Sequence, residues 1–185
     1  MTMRTVFSFL MSTLDGCHAT SEGDLSWHNV DQEFEDFAAH QIDQADTLLF
    51  GRKTYQGMAE FWQSPMALEA DPGMAARMNS YQKIVVSRTL ASADWGPARL
   101  ISSDVPGALA KIKAQPGKDI ALLGSSELAA SLLGADALDE LRVMVNPVIL
   151  GSGQPCFSGA DRTGLKLTAV REFRSGNVLL TYRRA

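Results

Sequence analysis

A chain of 185 residues suits one domain with a sizeable core, and 45% hydrophobic with 21% charged residues is globular rather than disordered material. A net charge of −4 argues against general nucleic-acid binding, which needs a basic face, and against a polybasic membrane surface. No apolar run approaches the roughly 20 residues of a membrane helix, and two cysteines, Cys17 and Cys156, make no disulfide framework or metal cluster and read as free thiols of a reducing cytoplasm.

Residues 4–12, "RTVFSFLMS", are continuously apolar and rich in β-formers, which predicts a buried central strand. Asp15-Gly16 signals a turn, and residues 17–30 lack periodicity and read as a loop. Phe34, Phe37, Ala38 and Ile42 fall at helical spacing between Asp31 and Gln44. A strand at 46–50 and a helix at 52–61 follow, then an irregular Pro-containing stretch at 64–73 and a short helix at 74–80. Strands are expected at 83–87 and 98–102, a helix at 105–114, a strand at 119–123 and a helix at 125–133. Residues 137–151 read as one long strand with Pro147 inside it, so an edge or a bulge is expected there. Residues 165–173 and 177–184 flank "RSGN" as a hairpin. Strands alternating with helices predict a single α/β domain over 1–185, its sheet covered on both faces and made mixed by the final antiparallel hairpin.

Two strand ends share a layout. "TLLFGRKT" (47–54) runs from an apolar strand through Gly51 into Arg52, Lys53 and Thr54; "IALLGSSEL" (120–128) runs through Gly124 into Ser125 and Ser126. A helix start carries unpaired N–H groups and partial positive charge, and a glycine there lets a ligand approach the backbone. Ligands of open α/β sheets lie at the carboxyl ends of the strands. A third such end supplies Ser87 and Arg88. Three phosphate-friendly ends fit a dinucleotide, and Arg52, Ser87 and Arg88 suit an additional phosphate monoester, which favours NADP over NAD. No Walker string is present, and "GSGQPC" (151–156) departs from G-x-G-x-x-G at Cys156 and Pro155. That loop reads as a tight turn between strands.

"TLDG" (13–16), "TLLFGRKTYQ" (47–56), "KIVVSRTL" (83–90), "IALLGSSELAASLL" (120–133) and "LDELRVMVNPVILGSGQPCF" (138–157) together resemble the dihydrofolate reductase-like superfamily. They are most similar to its riboflavin-biosynthesis reductase branch. The resemblance spans nearly the whole chain in order. It implies a three-layer αβα sandwich around a mixed, mainly parallel sheet, an NADPH cofactor and a homodimer. The cofactor residues it implies are Gly51, Arg52, Lys53, Thr54, Ser87, Arg88, Gly124, Ser125, Ser126, Glu127 and Leu128, with Asp15 and Gly16 opening the loop beside the nicotinamide. Phe9 stands where the riboflavin reductase carries a lysine, and no Asp-Pro or Asp-Asn follows Thr54 in "TYQGMAEFWQSP", after the first of the two junctions.

Hydride transfer to a C=N or C=O bond also needs a proton. Asp31 shares the apolar face of the first helix and also fits its N-cap. Glu33 lies four residues before Phe37 and also fits a first-turn acid. His28, after Trp27 in the loop, is a third candidate. Phe9, Trp27, Phe34 and Trp62 are the candidate lining of a flat, aromatic substrate, with core or subunit packing as the alternative for Phe61 and Trp62. His18, His28, His40 and Cys17 show no ligand spacing, so no metal is expected. The expected function is NADPH-dependent reduction of a small heterocycle. The alternatives are NADP(H) binding without turnover, and a structural dimerising domain using strand 138–150 with Phe61 and Trp62.

Overall fold

The computed structural model describes residues 3–185. Its elements in chain order are β1 (Val6–Thr13), β2 (Cys17–Ala19), α1 (Gln32–Asp43), β3 (Ala45–Gly51), α2 (Arg52–Trp62), α3 (Pro65–Ala70), α4 (Pro72–Ser80), β4 (Gln82–Val86) and β5 (Ala98–Ile101). Then come α5 (Val105–Lys113), β6 (Asp119–Leu123), α6 (Ser126–Gly134), β7 (Glu140–Asn146), β8 (Gln154–Pro155), β9 (Leu165–Glu172) and β10 (Val178–Arg184).

Eight strands form one sheet in the order β5-β4-β3-β6-β1-β7-β10-β9. The six from β5 to β7 are mutually parallel, and β10 runs antiparallel to both of its neighbours. This is the mixed, mainly parallel sheet that the alternating sequence predicts. The chain steps one way from β1 through β3 and β4 to β5, and the other way from β5 to β6 and on to β7. Crossovers keep one hand, so reversing direction moves the helices to the opposite face.

Strand side chains sort accordingly. Val6, Leu10, Leu49, Ile120 and Leu122 pack with Leu109 and Ile112 of α5 and Leu132 and Leu133 of α6. Phe7, Phe9, Leu48, Phe50, Ala121 and Leu123 pack with Ile42 of α1, Tyr55 of α2, and Met74 and Met78 of α4. Two apolar clusters on the two faces make the αβα sandwich.

Three local expectations are corrected. The stretch at 64–73 contains α3, because Ser64 caps it by accepting from the Ala67 N–H and Pro65 sits at its first turn. The loop at 17–30 begins with β2, which pairs with β8 from the "GSGQPC" turn. β7 ends at Asn146, one residue before Pro147, so the proline lies outside the ladder. Both edges of β7 are paired, by β1 and by β10.

Candidate functional site

Because Leu49 of β3 is in register with Leu122 of β6, Gly51 and Gly124 emerge side by side at the carboxyl edge of the sheet. The helices that follow them differ from the rest. α1, α3, α4 and α5 are each capped by a side chain, from Asp31, Ser64, Asp71 and Asp104. α2 and α6 have no side-chain cap. Their first-turn N–H groups, at Arg52–Thr54 and Ser126–Leu128, therefore point out of the two adjacent starts. α2 also has no acidic residue in its first turn.

Ser125 joins the two starts. Its backbone is left-handed, at φ 53°, and its hydroxyl turns away from its own helix. The Gly51 N–H donates to Ser125 Oγ at 2.9 Å, and Ser125 Oγ donates to Thr54 Oγ1 at 2.8 Å. The Ser125 hydroxyl, expected to donate to phosphate, is thus engaged within the protein, and Ser126 is buried. The start of α6 leaves its first-turn backbone N–H groups without a side-chain cap. Both glycines sit in tight quarters: a Cβ on Gly51 would lie 3.2 Å from Ser125 Oγ, and one on Gly124 would lie 3.2 Å from Thr54 Cγ2, where φ +59° itself favours glycine.

Arg52, Lys53 and Arg88 are exposed along this edge, and among the described residues none forms an ion pair. Arg52 reaches only Gln56, at 3.2 Å. Ser87 is buried, and its Oγ accepts the Thr89 and Leu90 N–H groups, which bends the chain so that Arg88 projects from the turn. Leu128 packs into the core and Glu127 is an exposed first-turn acid.

The Asp15-Gly16 turn closes over the end of β1. Asp15 accepts from Thr13 Oγ1 at 2.5 Å and from the Gly151 N–H at 2.8 Å, and these bonds hold its carboxyl below the usual range. Gly16 has φ +79°. His18, on β2, is half-buried and faces the charges of Lys53 at the start of α2 and Glu127 at the start of α6; burial pulls its pKa down. Sequence reading missed this placement, since it depends on β2 folding back through its pairing with β8.

On the α1 side the carboxylates are committed. Asp31 accepts the Phe34 N–H at 2.9 Å and is the helix N-cap. Glu33 accepts the Arg174 N–H at 3.0 Å and pairs with Arg171 at 3.4 Å; the Arg174 bond first, then Arg171, lowers its pKa. Both acids are held by the protein's own groups. Phe9 and Phe34 meet at 6.2 Å between ring centres, and Phe37 lies 5.8 Å from Phe9. Trp62 packs against the same core cluster and makes its ring contact with Phe61. Trp27 makes its ring contact with His28. The four lining candidates thus divide into a joined pair, Phe9 with Phe34, and two separate tryptophans. Among the described residues no group of three or more His, Cys, Asp or Glu could hold a metal, and no helix is long and apolar enough to cross a membrane. Cys17 and Cys156 are free and buried.

The family model described as the RibD C-terminal domain matches residues 4–179. The chain belongs to this family. It is 32% identical over 186 residues to the uncharacterized protein YyaP of Bacillus subtilis, covering 97% of this chain and 94% of that protein. A deaminase/5-amino-6-(5-phosphoribosylamino)uracil reductase from Thermotoga maritima superposes with a TM-score of 0.73 at 16% identity, over 99% of this chain and 57% of that one. A dihydrofolate reductase from Enterococcus faecalis, complexed with NADP(H), superposes with a TM-score of 0.62 at 17% identity, over 97% and 96% of the two chains. The chain therefore has the dihydrofolate reductase-like fold and is related to reductase domains.

Proposed function

We propose that this protein is an NADPH-dependent reductase acting on a small heterocycle of the pterin or aminopyrimidine type, as in folate or riboflavin metabolism. The observation that carries the reading is the pair of uncapped helix starts. Four described helices spend a side chain on their first turn, and the two that do not lie side by side at Gly51 and Gly124. Their N–H groups and dipoles suit a pyrophosphate. The glycines keep the approach free of Cβ atoms, and unpaired Arg52 and Arg88 suit a 2′-phosphate. When bound, NADPH supplies a hydride. The chain's own part is to fix the phosphates at the two starts and to close the β1 end through the Asp15 turn. Membership of the family and likeness in fold to a uracil-type reductase and to dihydrofolate reductase support this reading.

A second reading, NADP(H) binding without turnover, draws on Asp31 and Glu33, both of which are spent on backbone N–H groups. Absorbance assays of NADPH oxidation across a panel of pterins and aminopyrimidines separate the two. Substrate-dependent oxidation that Gly124→Val abolishes is the expected result. NADPH binding without oxidation by any heterocycle favours the second reading.

A further inference from the structure

Two neighbouring side chains on the loop before α1 bury ring nitrogens that no protein group meets. Trp27 Nε1 and His28 Nε2 are shut off from solvent and have no hydrogen-bond partner among the described residues. Buried polar atoms in native proteins are nearly always paired, so adjacent orphans mark a place where a ligand or water is expected. The rings stand edge to face, 4.5 Å between centres and at 89°.

This loop is pinned. The His28 N–H donates to Leu25 O at 3.0 Å. The Asn29 N–H donates to Asn146 Oδ1 at 2.9 Å, Asn29 Nδ2 donates to Ser175 O at 2.9 Å, and Asn177 Nδ2 donates to Asn29 O at 2.8 Å. Asn146 is wholly buried at the carboxyl end of β7, and its Nδ2 donates to Ser12 O of β1. The two rings are thus anchored to the strand ends from which the Asp15-Gly16 turn departs.

Four nearby acids have partners. Asp31 caps α1, Glu33 binds Arg174 and Arg171, Asp15 binds Thr13 and Gly151, and Asp24 binds Ser26. We propose that Trp27 and His28 are the polar recognition pair for the substrate ring, Trp27 donating from Nε1 to a carbonyl oxygen or ring nitrogen and His28 exchanging the proton. The proposal rests on the reductase reading and deepens it. Reduction of a C=N bond consumes one hydride, from a reduced nicotinamide, and one proton. His28 supplies the proton as imidazolium: its N–H bond breaks as the ring N–H bond of the product forms, leaving neutral imidazole, which takes up a proton from water when product release opens the site. Burial lowers the His28 pKa and Asp24, the charge that faces it, opposes this, so proton supply falls as pH rises.

The test is nuclear magnetic resonance on the full-length, ¹⁵N-labelled protein saturated with NADP⁺ and titrated with pterin or 5-aminouracil. The expected result is that the Trp27 indole N–H and His28 ring nitrogen signals move on saturation. His28→Gln and Trp27→Phe then weaken probe binding about tenfold, while NADPH still raises their melting temperatures as in the wild type, which also shows that they are folded. Unmoved Trp27 and His28 signals with both probes, or variants that bind a probe as tightly as the wild type, overturn the pair. Signals that move with a probe in a protein whose melting temperature NADPH does not raise would sustain the ring-recognition site while sinking the reductase reading and, with it, the proton role of His28.

Discussion

Ser125→Ala removes the bridge between the starts of α2 and α6. Two hydrogen bonds go: the one from the Gly51 N–H at 2.9 Å and the one to Thr54 Oγ1 at 2.8 Å. Both are partly buried, and each neutral bond contributes about 0.5–1.5 kcal/mol, so the loss is roughly 1–3 kcal/mol. For a domain of this size each kcal/mol lowers Tm by about 2–4 °C. Ser125→Gly loses the same bonds but relieves a left-handed residue at φ 53°, which returns up to about 1 kcal/mol. The expected order of stability is wild type, then Ser125→Gly, then Ser125→Ala. Urea unfolding with a common m-value measures it. Coupling is expected as well: Thr54→Val should cost less in the Ser125→Ala background than alone. If Ser125→Ala unfolds at the wild-type urea concentration, or Ser125→Gly is the weaker of the two, the bridge does not hold the junction and the reasoning is wrong.

Other perturbations have equally definite outcomes. Asp31→Ala should cost about 1 kcal/mol in chemical unfolding through loss of the N-cap, with NADPH binding by fluorescence unchanged. Gly124→Ala places a Cβ 3.2 Å from Thr54 Cγ2 at φ +59°, so it should lower stability by roughly 1–2 kcal/mol and weaken NADPH binding in the same titrations. Lys83 is 1% exposed, and burial lowers its pKa from 10.5 to about 8. Its Nζ donates to Asn79 O and Tyr81 O and stands 4.5 Å from the Trp95 ring centre. Between pH 8 and 10.5 the unfolded chain binds more protons at this site, so this residue's contribution to stability rises with pH across that window. Denaturation of Lys83→Met against pH should lack that rise; an unchanged profile would assign it to other groups.

The sheet was legible because its signals are local. Runs such as "RTVFSFLMS" and "IALLG" read as buried strands because they are short, apolar and bounded by turn signals, and Gly51 and Gly124 mark where two of the strands stop. Asp31 was legible as a cap for the same reason, since capping spans three residues. The missed features depend on contacts between distant segments. Ser125 reads as a phosphate ligand until β3 and β6 become neighbours and the Gly51 N–H takes its hydroxyl. Glu33 reads as a first-turn acid or a proton donor until the β9–β10 turn brings Arg174 to it, across a separation of 141 residues. The network of Asn29, Asn146 and Asn177 joins three regions that share no pattern. Lys83 sits in an apolar strand, where its charge gives no hint of the α4 carbonyls and Trp95 that receive it.

In the proposed function the paired helix starts, with Arg52 and Arg88, hold a dinucleotide bearing a 2′-phosphate. A thermal-shift titration with NADPH and NADH in parallel tests it most directly. A ligand at a hundredfold excess over its Kd stabilises the folded protein by about 2.7 kcal/mol, which corresponds to a rise of roughly 5–10 °C. The expected result is that rise with NADPH, a much smaller one with NADH, and convergence of the two in Arg52→Ala/Arg88→Ala. No shift with either nucleotide, or equal shifts in the wild type, would contradict it.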